Sequence, residues 1–266
     1  MLKRFRQFYT KEKDYAGLRH NLDAWYETGL GREFLAEARS RLDEVLPNLF
    51  GYHLVQVGRI GGCDLLGCSR IWHRTLMDKT LPPRAEQTCS RVFCDLDALP
   101  IATDGVDVIA LPHSLELHPR PHQILREIDR VLVPEGHVVI LGFNPWSLWG
   151  MHGLISKCRK PSAPWQGEFF GMTRIKDWLE LLGFDLVYHD LFFYRPPLRY
   201  PRMMRRLEFM ERLGKRYWPK LGGGYLLVAK KRTITFTPVK PRWARPASLS
   251  PKPIGVPKTT VRSHRK

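Results

Sequence analysis

DLDALPIATDGVDVIALPHSLELHPRPHQILREIDRVLVPEGHVVILGFN, residues Asp95–Asn144, decides the fold. Asp107–Leu111 is a short apolar run of strand type, and His137–Phe143 is a second. Between them Ile124, Leu125, Ile128, Val131 and Leu132 recur at helical spacing. Pro134-Glu135-Gly136 stops that helix. Two strands joined by an amphipathic helix form a βαβ unit, which requires a parallel sheet with helices on its faces. Such sheets bind ligands beyond the carboxyl ends of their strands, so the segments after Leu111 and Phe143 are the first candidates for chemistry.

Outward from this unit the same alternation continues. Glu33–Leu46 reads as an amphipathic helix with Phe34, Leu35, Ala38, Leu42, Val45 and Leu46 on one face, ended by Pro47. His53–Val57 is a strand, and a glycine turn follows at Gly58-Arg59-Ile60-Gly61-Gly62. The next stretch, CDLLGCSR, reads as a short helix. Arg74–Asp78 and Arg91–Cys94 are strands, each leading into an acid, Asp78 and Asp95. Residues 1–32 are polar and mixed, and Ala24-Trp25-Tyr26 with Gly29 and Gly31 reads as a loop that packs an aromatic onto the body. After Asn144 the chain is rich in Trp and Gly without a period. Thr173 then caps a helix with Ile175, Trp178, Leu179 and Leu182 inward. Two last strands, Phe184–Leu191 and Tyr225–Lys230, flank an insertion with a helix over roughly residues 201–215. The order predicts an α/β fold, a doubly wound and mostly parallel seven-stranded sheet.

The domain organisation read from this is an N-terminal helical segment (1–50), an α/β domain (51–232, with a cover at 191–223) and a tail (233–266). The net charge is +17, from 43 Lys and Arg against 26 Asp and Glu. Eleven of the basic residues and none of the acids lie from Lys230 onward, in a Pro-rich segment that reads as disordered. Such a tail is either solvated or a weak phosphate-binding arm for RNA. The cover is basic too, with Tyr194, Tyr200, Tyr217 and Trp218 interleaved, which suits an acidic substrate, RNA or a plain solvated face. No apolar run reaches about 18 residues, so a membrane span is not expected, and no secretory leader is read at the N-terminus. Five cysteines (Cys63, Cys68, Cys89, Cys94, Cys158) form no C-x-x-C pair, which predicts reduced thiols, no metal site and a cytoplasmic location.

A glycine turn between strand and helix exposes backbone N–H groups to a ligand. Counted from Gly58, the dinucleotide pattern G-x-G-x-x-G fails at Ile60 and Cys63, which disfavours a nicotinamide enzyme. Asp78 ends the second strand, where an acid can accept hydrogen bonds from both hydroxyls of a ribose.

Asp95–Asn144 resembles the core of class I S-adenosylmethionine-dependent methyltransferases of the type-11 kind. The resemblance rests on Asp95, Leu99-Pro100-Ile101, Val106-Asp107-Val108, His113-Ser114-Leu115-Glu116-Leu117, Leu125–Leu132 and Pro134-Glu135-Gly136. It covers about fifty residues closely and Leu54–Lys230 in outline. It implies that the last strand runs antiparallel to the rest and that S-adenosylmethionine is the cofactor. It implies further that Gln56, Gly58 and Gly62 hold the methionine end, Asp78 the ribose, and Asp95 and Leu96 the adenine, with Pro112 and His113 at the sulfonium. His113 is the candidate general base, and Asn144 and Trp146 the candidate acceptor-binding residues. Trp149 is either a second wall for the acceptor or core. The methyl acceptor, whether small molecule or nucleic acid, is left open.

The chain departs from that family at three places. Gln56 replaces an acid, Ile60 replaces the middle glycine of G-x-G-x-G, and Leu117 replaces a second histidine. These departures motivate a rival reading, a methyltransferase-like protein that has lost catalysis and binds RNA.

Overall fold

The strands are β1 (His53–Val57), β2 (His73–Asp78), β3 (Ser90–Phe93), β4 (Val106–Pro112), β5 (Leu132–Phe143), β6 (Phe184–Phe192) and β7 (Gly224–Lys231). They form one sheet in the order β3-β2-β1-β4-β5-β7-β6. Pairs β1–β2, β1–β4, β2–β3 and β4–β5 are parallel, whereas β7 runs antiparallel to both β5 and β6. The strand order reverses between β1 and β4, and a doubly wound sheet opens its binding crevice at that switch point. These elements come from a computed structural model that describes residues 15–60, 65–80, 89–159, 166–197, 207, 209–233 and 255. Residues 1–233 make one unit and residues 234–266 another. The basic tail, Gly62, Cys63 and the residue 201–206 part of the predicted cover helix lie outside the described residues.

The central βαβ unit forms for the reasons its pattern gives. Helix α4 (Pro121–Val131) buries Ile124, Leu125, Ile128 and Val131, each contributing roughly 1.5–3 kcal/mol by burial. The helix stops at Val131, and Glu135 turns the chain at a φ of 67° on its way into the pairing of β5 with β4. Polar residues of the same motif fasten the connections. Asp107 Oδ2 accepts from the backbone N–H groups of Tyr52 and His53, both at 2.9 Å, and so fixes the entry to β1. Arg130 donates to the carbonyls of Leu99 and Ile101, and Glu127 accepts from the Leu99 N–H. This ties the Leu-Pro-Ile loop to α4.

Four local readings are corrected. The stretch read as a loop holds a helix, α1 (Tyr15–Tyr26), followed after two residues by α2 (Gly29–Val45). Thr28 caps α2 by accepting from the Gly31 N–H. The buried face of α1 is Tyr15, Arg19, Leu22, Trp25 and Tyr26, and an arginine in the stripe hides its helical period. CDLLGCSR is no helix over its described part. It makes turns, with Ser69 bonding back to Leu66 and its hydroxyl accepting from Ile71. The Trp- and Gly-rich segment holds helix α5 (Leu148–Arg159). Helix α6 (Met172–Leu181) begins two residues earlier than predicted, with Gly171 rather than Thr173 at its cap.

Aromatic rings join α1 and α2 to the carboxyl end of the sheet. Phe34, fully buried, lies 5.0–5.9 Å from the rings of Trp25, Phe143, Trp149, Phe192 and Phe193. The two N-terminal helices therefore roof the strand ends where the predicted site lies.

Candidate functional site

Three strand ends meet beneath α1. After β1, Gly58 takes a φ of 87°, a conformation that suits glycine. A side chain there would also collide, since a Cβ would fall 2.3 Å from Ser114 Oγ and 2.5 Å from Arg19 Nη2. Ser114 donates to the Val57 carbonyl and so ties the loop after β4 to the end of β1. Gln56 is buried, and its Nε2 donates to the Gly58 carbonyl at 2.9 Å. Ile60, where the family pattern has glycine, is wholly buried in the core.

Asp78 ends β2 and is completely buried. Its Oδ1 accepts from Tyr15 Oη and from the Thr80 N–H, both at 3.1 Å. Its Oδ2 faces two guanidinium groups, Arg19 and Arg59, each with Nε at 3.7 Å, and has no hydrogen-bond partner. Arg19 is itself fully buried. It donates to the Arg59 carbonyl and to Tyr15 Oη, and it lies against the Gly58 turn. Burial disfavours the Arg19 charge, but Tyr15 and Asp78 outweigh it and raise the guanidinium pKa. Burial likewise raises the Tyr15 phenol.

Asp95, after β3, is more than half exposed and pairs with Lys79 at 2.8 Å. The Lys79 hydrogen bond holds its carboxyl below the usual range. Leu96 beside it is buried. Asp97 is tied to Arg120 at 2.6 Å, in keeping with a structural turn.

Pro112 ends β4 in register with Leu141 of β5, and His113 follows in the left-handed conformation at a φ of 53°, just before the short helix α3 (Ser114–Leu117). His113 is fully buried and stacks on Phe143 at 4.2 Å. Both its ring nitrogens are engaged: Nδ1 with Glu116 Oε2 and Nε2 with Tyr26 Oη, each at 2.6 Å. Glu116 Oε1 accepts from the Phe143 N–H. Burial, then the Glu116 charge, holds the phenols of Tyr26 and Tyr225 well above their ordinary pKa. A buried polar chain Tyr26–His113–Glu116 thus connects α1 to the ends of β4 and β5.

Asn144 has its amide fully used within the chain. Its Nδ2 donates to the Lys220 and Gly222 carbonyls at 2.9 and 3.0 Å, and its Oδ1 accepts from the Trp146 N–H at 3.1 Å. It fastens the cover to β5 instead of presenting a free amide to an acceptor. Trp146 is 77% exposed, while Trp149 is core and donates from Nε1 to the Arg195 carbonyl. Sequence reasoning missed Tyr15, Arg19 and Tyr26, because the helix that carries them was read as a loop. The four-residue recurrence of Tyr15, Arg19 and Asp23, with Leu22 and Tyr26 alongside, was the available signal. Among the described residues no cluster of three or more His, Cys, Asp or Glu could hold a metal ion.

The residues present suit S-adenosylmethionine in part. The orphaned, buried Asp78 Oδ2 is an acceptor suited to a ribose hydroxyl. The Gly58 turn has the positive-φ backbone of a close-approach site, although Arg19 fills the space over it.

This strand order, with one antiparallel strand inserted beside β5, is the Rossmann-like fold of class I methyltransferases. The methyltransferase domain family matches residues 70–140, which start beyond the Gly58 turn. The chain is 30% identical over 215 residues to the Escherichia coli (strain K12) protein YafS, described as uncharacterized, covering 81% of this chain and 83% of that one. It is 34% identical over 58 residues to the demethylmenaquinone methyltransferase of Chlamydia pneumoniae, a quarter of that protein's length. The N-methyltransferase NodS of Bradyrhizobium japonicum, solved with S-adenosyl-L-homocysteine, superposes with a TM-score of 0.54 at 14% identity, over 83% of this chain and all of that one. The chain belongs to one family with YafS, and its residues 70–140 carry the methyltransferase-domain match on the fold of class I methyltransferases.

Proposed function

We propose that the protein transfers the methyl group of S-adenosylmethionine to a still unidentified acceptor, in a site at the carboxyl ends of β1, β2 and β4. The observation that carries this is Asp78. A carboxylate completely buried at the end of β2, beside a positive-φ glycine turn, keeps one oxygen without a hydrogen-bond donor. Asp78 then takes the ribose, Asp95 and Leu96 the adenine side, and the Gly58 turn the methionine end. Gly62 remains part of this assignment on its sequence position alone.

When bound, S-adenosylmethionine supplies an activated methyl group. The chain's part is to hold the acceptor in line with it and exclude water. His113, pinned by Glu116 and bonded to Tyr26, acts as a positioning residue. Trp146, exposed on the rim after β5, is the acceptor-facing residue of its segment, and Asn144 holds it there. A cytoplasmic location is part of this reading and rests on the five cysteines, odd in number and without a C-x-x-C pair.

One observation favours the rival reading of a protein without catalysis: Arg19 and Ser114 already fill the space over Gly58. A screen of extracts with isotopically labelled S-adenosylmethionine separates the two. A product labelled by the wild type and not by Asp78→Ala supports the enzyme. Absence of any labelled product, with RNA retained equally by the wild type and Asp78→Ala, supports the rival.

A further inference from the structure

We propose that the face formed by α7 (Phe209–Tyr217) and the rim after β5 docks on an anionic lipid surface. An amphipathic helix of a water-soluble protein turns its apolar stripe inward, and α7 does the opposite. It meets the body through Gly214, Glu211 and Lys215, the last paired with Asp190 of β6 at 3.2 Å, with Met210 half-buried beside them. A methyl at Gly214 would fall 2.4 Å from Tyr194 Cγ, and Glu211 accepts from the Tyr194 N–H and pairs with Arg195 at 3.2 Å. Phe209, Leu213 and Tyr217, four residues apart, are 53%, 41% and 63% exposed. Arg212 and Arg216 lie exposed along the same outer side. The apolar stripe faces outward because small and charged residues occupy the seat on the body.

The surface extends beyond the helix. Trp218, Lys220 and Leu221 are exposed. The Asn144 amide links the Lys220 and Gly222 carbonyls to the Trp146 N–H. Exposed Trp146 therefore shares a rim with Leu221, and Met151, in the first turn of α5 that follows, is exposed as well. Aromatic and aliphatic side chains interleaved with arginine and lysine match the interface of a bilayer bearing anionic headgroups. Glu211 is the one acid from Phe209 to Leu221, and Arg195 already pairs with it. The aliphatic members, Leu213, Leu221 and Met151, favour lipid over RNA, which stacks its bases on aromatic faces. No described helix is long and apolar enough to cross a membrane, so the contact is peripheral. Resting on the methyltransferase reading, this docking sets the acceptor side of the site against the bilayer.

Co-sedimentation of the full chain with vesicles tests the proposal. The wild type is expected to sediment with phosphatidylcholine–phosphatidylglycerol vesicles and not with phosphatidylcholine alone. Leu213→Glu and the double variant Arg212→Glu/Arg216→Glu are each expected to lower that partition by about tenfold or more, with melting temperature and S-adenosylhomocysteine affinity unchanged. Vesicle binding unaffected by either variant, no vesicle binding at all, or binding to a uridine oligomer in place of vesicles overturns it. Homocysteine-analogue binding without vesicle binding removes only the docking. Vesicle binding without it removes only the methyltransferase reading.

Discussion

Arg19 of α1 and Asp78 of β2 form an ion pair in which both side chains are fully buried. The pair joins the N-terminal helix to the strand end that the cofactor assignment depends on. Removing one member of a buried pair leaves the other uncompensated. Arg19→Ala is therefore expected to lower unfolding stability by about 3–5 kcal/mol. The double variant with Asp78→Asn should recover part of the loss, a coupling visible in urea midpoints. Strict additivity of the two losses would show that the residues are independent.

The aromatic roof gives a second prediction. Phe34→Ala should cost about 3–5 kcal/mol, because five rings lose their common partner. Phe34→Leu should cost less. Chemical denaturation measures both, and a loss under 1 kcal/mol for the alanine would mean that α2 does not pack on the sheet as described.

Much of this architecture was legible in the sequence. The βαβ unit from Asp95 to Asn144 could be read because Ile124, Leu125, Ile128 and Val131 keep a clean helical period and both flanking strands are continuously apolar. The antiparallel last strand came from the resemblance rather than from any local signal. Helix α1 was lost because Arg19 occupies its buried stripe, and that residue is inside only because Asp78 and Tyr15 are there to meet it. The site divides the same way. Asp78 and Gly58 could be found from their positions after strands. Tyr15, Arg19 and Tyr26 reach the site from a distant helix that no spacing rule connects to it. Asn144 was legible as a strand-end residue but not as the clamp on the cover, because its partners are backbone carbonyls far along the chain.

Alkaline titration tests the buried polar chain. Burial raises the Tyr26 and Tyr225 phenols, so the folded protein prefers them neutral while the unfolded chain ionises them near pH 10. Their contribution to stability is complete below pH 10 and falls as the pH rises beyond it. Absorbance at alkaline pH should show a late step, from Tyr26 and Tyr225, that appears only on unfolding. Tyr26→Phe should reduce that late step. Ionisation of all tyrosines together before unfolding would contradict the burial.

Acid titration has the opposite sign. Burial lowers the pKa of His118 and of His137, the latter aided by Lys230. The fold prefers both rings neutral, so the unfolded chain takes up protons first. Stability should hold above about pH 6.5 and decline as the pH falls below it. Melting temperatures at pH 7.5 and 5.5 measure the slope, and His118→Gln/His137→Gln should flatten it. An unchanged slope in that double variant would show that other groups govern it.

Titration calorimetry with S-adenosylhomocysteine, on the wild type and on Asp78→Asn, tests the central assignment most directly. The account predicts micromolar binding by the wild type, about 8 kcal/mol, weakened at least tenfold by the loss of the Asp78 charge. No heat from the wild type at near-millimolar ligand, or equal affinity in Asp78→Asn, would contradict it.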